Sequence, residues 1–448
     1  MGMERKSNGP SWAMFLLGLS SQTQVQVVAF MDISELVCYI LGPYFFIQDY
    51  ALLRKHGFGR FLFVWVFATL GCLMSSYFNN SPFPNVLRGM GTTVSVFCLT
   101  CVFHHVLSKD LKAFKWFYLG AAFSLIISVF AFQRGTAVMS YGGRLTSEEA
   151  TEHVVGYSLF WITMIGTWTI LPLQLCYLKT PKWYIYSFCL WYMLYGFFSA
   201  GSRSGLAVTA VSLIILVVGG KNRYNMRFMK RHFWTFSLCV LLLAPAFAFF
   251  YKTCAEHNLL GEKAYQKYVS QTARGKGVIA LIKGGRGEFF AALDAATDRP
   301  IVGWGPWALD TGDYLRKQVE DVASEMYLKY YDWFSTIKPR YLPAHSWIMG
   351  FWCWFGLPGF ICMLYVGWLL VSTLKNRMDV IPEYFGHFAF FIPATIWAWL
   401  FSPFGNRTTF TLMFTMCLFA KAIQEGRFYY VSDMDEYVLD DSGKELIP

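Results

Sequence analysis

The sequence predicts an all-α, polytopic membrane protein: about 12 transmembrane helices with one large extracytoplasmic helical loop. Three observations predict it. The 448 residues are 55% hydrophobic and only 15% charged, with a mean hydropathy of +0.38; a soluble domain carries roughly 25% charged residues. Apolar runs of about 20 residues recur along the chain, each long enough to cross a bilayer. Lysine and arginine gather between those runs, in every second connection.

The spans fall at 12–31, 33–50, 60–78, 89–107, 114–133, 154–177, 183–200, 204–220, 233–251, 344–373, 383–402 and 407–425. The first is interrupted by the polar stretch SSQTQVQ. One set of alternate connections holds Arg54, Lys55 and Arg60, then Lys109, Lys112 and Lys115, then Lys179 and Lys182. It continues with Lys221, Arg223, Arg227, Lys230 and Arg231, and ends with Lys375 and Arg377. The other set is nearly bare of lysine. The positive-inside rule then places both termini in the cytoplasm. Four regions follow: an N-terminal transmembrane bundle (1–251), an extracytoplasmic loop domain (252–343), C-terminal spans (344–425) and an acidic cytoplasmic tail (426–448) that reads as disordered. The loop domain holds helix-like stretches such as GEFFAALDAATD and a turn-rich GWGPW, so it reads as a small folded cap.

The net charge of +10 is explained by the topology signal and implies no nucleic-acid partner; no RNP, zinc-finger or helix-turn-helix signature accompanies it. The 11 cysteines lie almost entirely inside apolar runs and lack metal-ligand spacing, which suits small hydrophobes. No metal and no cofactor are expected.

The same topology sorts the remaining cations. Arg88, Arg134, Arg144, Arg203, Arg286, Arg299, Arg340, Arg407 and His345 fall on the outer side. Guanidinium is a planar fork that grips phosphate through two bonds and stays charged at any working pH. An outer rim of arginines therefore suits the diphosphate of a lipid carrier. Arg203, in SAGSRSGLAV, opens a helix whose N-terminus favours an anion; an interfacial arginine snorkelling to headgroups is the plainer alternative. Arg286 lies in KGGRGEFFAAL, where glycines let backbone approach a ligand; a glycine-rich turn with a solvated arginine reads the same way. Gly303, Gly305 and Pro306 build a rigid turn in DRPIVGWGPW, whose tryptophans suit either a sugar face or a membrane interface. His345 follows PA at the head of a long aromatic helix, where an imidazole can accept a proton near neutral pH or simply bond to backbone. Asp32 and Glu35, in FMDISEL at the first outer turn, form a D-x-x-E pair that a metal-dependent transferase would need. A transporter or flippase with anionic cargo is the non-enzymatic alternative, though no internal repeat stands out.

Taken in order, SRSGL at a helix start, GRGEFFAALDAATDRPIVGWGPW in the long loop, and a histidine followed eleven positions on by Gly356 resemble the O-antigen ligase and O-antigen polymerase superfamily. The resemblance is clearest over 195–375; the first six spans agree in number and character. It implies a metal-independent glycosyltransferase of a bacterial inner membrane, with its site facing the periplasm. The donor would be a glycan on undecaprenyl diphosphate, and the acceptor a glycan, a lipid A-core or a protein, beside membrane lipid. By the same resemblance His345 and Gly356 take the His-x10-Gly motif, with His345 the base. Arg286 and Arg203 would bind the diphosphate, and Arg144 would match a further outer-loop arginine. One departure is visible. The ligase motif Arg-x-x-x-Leu is altered here, since Leu206 follows Arg203 by three and Ala207 takes the fourth place. A polymerase and a protein O-oligosaccharyltransferase therefore stand beside the ligase.

Overall fold

The computed structural model describes residues 9–130 apart from 22–23 and 27–29, parts of 208–269, residues 277–320, scattered positions of 321–339, nearly all of 340–425, and the pairs 438–439 and 445–446. These residues are mostly helical, with almost no strand. The helices are α1 (Gly9–Ser20), α2 (Ile33–Gln48), α3 (Tyr50–Lys55), α4 (Phe58–Phe78), α5 (Phe83–Leu107), α6 (Ala113–Phe130), α7 (Phe233–Glu256), α8 (Gly277–Asp298), α9 (Tyr314–Glu320), α10 (Trp347–Asn376), α11 (Phe385–Phe401) and α12 (Arg407–Gln424). Among the described residues α4, α5 and α10 are long and apolar enough to cross a membrane. The expected spans 154–177 and 183–200, and most of 204–220, lie outside the described residues.

Local chemistry accounts for the helix ends. Helix α5 starts with proline in its first turn, where a missing N–H costs nothing, and ends on His104 and His105 near its negative pole. Ser346 caps α10: its backbone is extended and its hydroxyl accepts from Met349 N–H at 3.2 Å. The first expected span is shorter than its apolar run. Helix α1 stops at Ser20, and the polar stretch after it forms an antiparallel ribbon of β1 (Gln24–Gln26) and β2 (Phe30–Asp32). The tail also departs from expectation: Val438–Leu439 pairs with Glu445–Leu446 as a second two-stranded ribbon, β3 and β4.

Helix α4 is apolar on every side. Phe61, Trp65, Ala68 and Cys72 are buried along one stripe, while Phe63, Val66, Leu70 and Tyr77 on the other are exposed. An apolar outer face of this kind belongs against lipid. The centre is aromatic. Phe61 stacks on Phe414 at 5.5 Å, and Trp65 packs against Phe351, Phe404 and Phe410, joining α4, α10 and α12. Helix α12 is buried on all faces from Thr408 to Ala420. Thr415 satisfies its hydroxyl on the Thr411 carbonyl at 2.9 Å, the local solution open to hydroxyls away from water.

Contacts at the two ends follow the alternation of the loops. At the lysine-rich end Ser11 meets Asp110, Tyr384 donates to the Leu111 carbonyl, and Gln424 donates to the Asn376 carbonyl. His105 Nδ1 lies 2.7 Å from Asp49, and His56 Nδ1 lies 2.9 Å from His104 Nε2 at the same end. At the other end Asn79 donates to the Gly303 carbonyl, and Trp347 donates to the Pro403 carbonyl.

Helices α1 and α6 approach through paired glycines. A Cβ added at Gly18 would lie 2.0 Å from the Phe117 carbonyl oxygen, and one at Gly120 would lie 2.0 Å from that of Phe15. Each glycine thus admits the other helix's backbone, the small-residue packing that membrane helices use. Gly18→Val should therefore cost about 1–3 kcal/mol, as overpacking does. The check is the detergent-solubilised protein's thermal midpoint; an unchanged midpoint would mean α1 is free to move away from α6.

Candidate active site

The geometry begins with one interruption in α10. Gly356 has φ 66° and ψ −151°, a backbone region that is essentially glycine-only. The break diverts peptide groups from their helical partners, and the turn 301–305 takes them. Trp304 N–H donates to the Cys353 carbonyl at 2.8 Å and Gly305 N–H to the Trp354 carbonyl at 3.1 Å. In return, Leu357 N–H donates to the Ile301 carbonyl at 3.0 Å. Gly303 permits the approach, since a Cβ there would lie 2.6 Å from Gly356 nitrogen. The two motif glycines are thus halves of one backbone junction.

Side chains lock that junction. Ser75 donates to the Trp354 carbonyl at 2.8 Å, and Asn79 bridges from the end of α4 to the Gly303 carbonyl at 3.0 Å. Arg299 donates to Asn79 Oδ1 and lies over the Trp304 ring at 3.9 Å. Trp304 Nε1–H donates to the Ala295 carbonyl at 2.6 Å, and Trp307 stacks on Trp354 at 4.4 Å. The tryptophans of GWGPW, open to a sugar or interface reading, serve here as packing.

The same junction aims α8 across the head of α10. Arg286 interrupts α8, with φ −139° and ψ 25° between helical halves. Its guanidinium lies over Trp397 at 4.9 Å and Phe401 at 5.1 Å, both on α11. Cation–π contact engages the face of the guanidinium plane, whereas phosphate recognition uses its N–H edge. Two residues on, Glu288 Oε2 lies 3.0 Å from His345 Nδ1. Both side chains are about half exposed, 43% and 52%, so a ligand can reach them. Enough protein surrounds the Glu288 carboxyl for desolvation to raise its pKa, while the fields of His345 and Arg286 pull it down. Arg286 and Glu288 stand two residues apart on α8, and Glu288 meets His345, so the three are neighbours. Sequence reasoning passed over Glu288; its place two residues after Arg286 in GRGEFF was the available signal.

The remaining arginines of the outer set divide. Arg407 donates to both carboxylate oxygens of Glu35, through Nε to Oε1 at 2.5 Å and a terminal nitrogen to Oε2 at 2.8 Å. Asp32 N–H reaches the same Oε2 at 3.3 Å. Glu35, the carboxylate weighed as a metal ligand, is thereby the ion-pair partner of α12. Arg340 lies 3.6 Å from Asp313 and 3.9 Å from Asp332. Among the described residues no group of three or more His, Cys, Asp or Glu is arranged to hold a metal ion. Arg203 and Arg144 lie outside the described residues, as does Arg134.

A mostly helical protein with lipid-facing apolar helices and a polar cluster at one end belongs to the class of integral membrane proteins. Residues 188–364 match the family model described as O-antigen ligase. The match contains Arg203, Arg286, Glu288, His345 and Gly356, and it supports the resemblance to the O-antigen ligase and polymerase superfamily, a glycosyltransferase-type family. No curated protein and no solved structure matches the chain.

Substituting Gly356→Ala sets a Cβ 2.1 Å from the Ile301 carbonyl oxygen and forces alanine into a region that costs of order 1–3 kcal/mol. The expected result is a lower thermal midpoint together with faster proteolysis within 301–307. Proteolysis of that turn at the native rate would show that its docking does not depend on the break.

Proposed function

We propose that this protein moves a glycan from an undecaprenyl-diphosphate carrier to an acceptor hydroxyl at the periplasmic face of a bacterial inner membrane. The observation that carries this is the gathering of Arg286 and His345 around Glu288, half exposed, at the end of the bundle opposite the lysine-rich loops. A cation beside a proton acceptor is what glycosyl transfer from a diphosphate requires.

The donor bond breaks between the anomeric carbon and the diphosphate oxygen, and the leaving diphosphate keeps the electron pair. Arg286, steadied on Trp397 and Phe401, stabilises the charge that develops there; Arg203 joins it by the family resemblance. The acceptor oxygen forms the new bond to the anomeric carbon, and its proton passes to His345. One in-line displacement inverts that carbon. The residues that do this are arginine and histidine; the arginine charges meet the need that a cation would otherwise fill.

Arg286→Ala should lower transfer on the order of 10²–10³-fold, as removal of one charge-stabilising donor does. Arg286→Lys should restore little, because lysine lacks the fork and the stacked plane. The assay supplies a defined lipid-linked glycan with purified acceptor lipid, acceptor peptide, or donor alone. These arms separate ligase, protein transferase and polymerase, and wild-type turnover by both Arg286→Ala and His345→Ala in every arm would overturn the proposal.

A further inference from the structure

His345 has two ring nitrogens, and only one has been given a task. Nδ1 lies 3.0 Å from Glu288 Oε2. Nε2 is on the opposite edge of the ring, on a side chain 52% exposed. The contact joins two elements whose positions are independently fixed. His345 immediately precedes Ser346, whose hydroxyl caps α10 and also donates to the Trp399 carbonyl at 3.3 Å. Glu288 stands just past the break in α8, on the half that runs directly into the docked 301–305 turn. Phe289, its neighbour, packs on Phe401 at 5.5 Å. The carboxylate is therefore presented to the imidazole by rigid structure.

We infer that Glu288 is the positioning residue of the proton acceptor: it receives the Nδ1–H of His345, so that the Nε2 lone pair faces the acceptor hydroxyl. This deepens the proposed function and rests on it for the role of His345. The chemistry is that of a carboxylate–imidazole dyad. A neutral imidazole carries one hydrogen, and a carboxylate at Nδ1 selects which nitrogen bears it. When Nε2 takes the acceptor's proton, the resulting imidazolium stands 3.0 Å from an anion, and the attraction between them grows because both partners are charged. No electron or atom changes hands beyond the single proton. Arg286 has a second effect in this arrangement. Its positive charge lies close enough to act on Glu288 and offsets the repulsion that a carboxylate would otherwise exert on an arriving diphosphate.

Two measurements test the inference, one without turnover. In the first, 15N-histidine NMR of the detergent-solubilised full chain at alkaline pH reports which nitrogen of each of the 8 histidines bears hydrogen; His345 is assigned by the signal lost in His345→Asn. The expected spectrum has hydrogen on Nδ1 of His345, moving to Nε2 in Glu288→Ala. Hydrogen on Nε2 in the unaltered protein overturns the inference. In the second, Glu288→Gln should lower kcat roughly 10²-fold while leaving the KM for lipid-linked donor unchanged, since the lost interaction matures only in the transition state; Glu288→Asp should recover part of the rate. A wild-type kcat for Glu288→Gln overturns the inference, and so does a loss confined to donor KM. An inactive His345→Ala beside a fully active Glu288→Gln removes the dyad and leaves the proposed function standing. A fully active His345→Ala removes the base role itself, whatever the tautomer. Equal thermal midpoints for Glu288→Gln and the unaltered protein show that its rate reports chemistry and not folding.

Discussion

Everything at the polar end depends on a pair of interrupted hydrogen-bond ladders that complete each other. An uninterrupted α10 would spend the Cys353 and Trp354 carbonyls within its own turns. By breaking at Gly356 it offers them outward, and the turn at 301–305 accepts the offer with Trp304 and Gly305 N–H groups. Backbone bonds of this kind are directional and short, so they fix the turn in register as a strand would fix its neighbour. Unpaired peptide groups near the hydrocarbon layer carry a penalty of several kcal/mol each. The turn is thus held less by its tryptophans than by the cost of leaving it.

From that anchor the placement of the chemistry follows. The docked turn begins three residues after α8 ends, so α8 enters at a fixed angle, and its break at Arg286 sets that side chain against α11. Helix α10 supplies His345 from its cap, eleven residues before the same glycine. Arginine serves two ends in this region. Arg407, Arg299 and Arg340 tie elements together through Glu35, Asn79 and the aspartates of the loop. Arg286 lies instead on aromatic rings beside an accessible histidine.

The helical class was legible from hydropathy, because a bilayer demands long apolar helices. The backbone turns were legible too, since the glycines at 303 and 356 are local marks of chain that leaves regular geometry. What escaped was relational. Nothing in FMDISEL tells that Glu35 meets Arg407, which lies 372 positions away. Beyond its nearness to Arg286, GRGEFF says nothing of the histidine that Glu288 meets; the crossing of α8 over α10 brings that contact about. The early polar stretch was read as span, whereas Gln24–Gln26 pairs with Phe30–Asp32 as a ribbon. A tail read as disordered still pairs Val438 and Leu439 with Leu446 and its neighbour, because a few apolar residues suffice to align so short a ribbon.

The Glu35–Arg407 bond has a bearing on biosynthesis. Helix α2 is made early and carries a carboxylate that in the finished protein is 1% exposed. Its cation lies on α12, 372 positions further along the chain. Until that helix is made the acid has no counter-charge from it, and a buried lone carboxylate is either protonated or kept near water. Helix α2 therefore gains its counter-charge only once α12 has been made, and the two helices are joined by a bond that spans most of the chain.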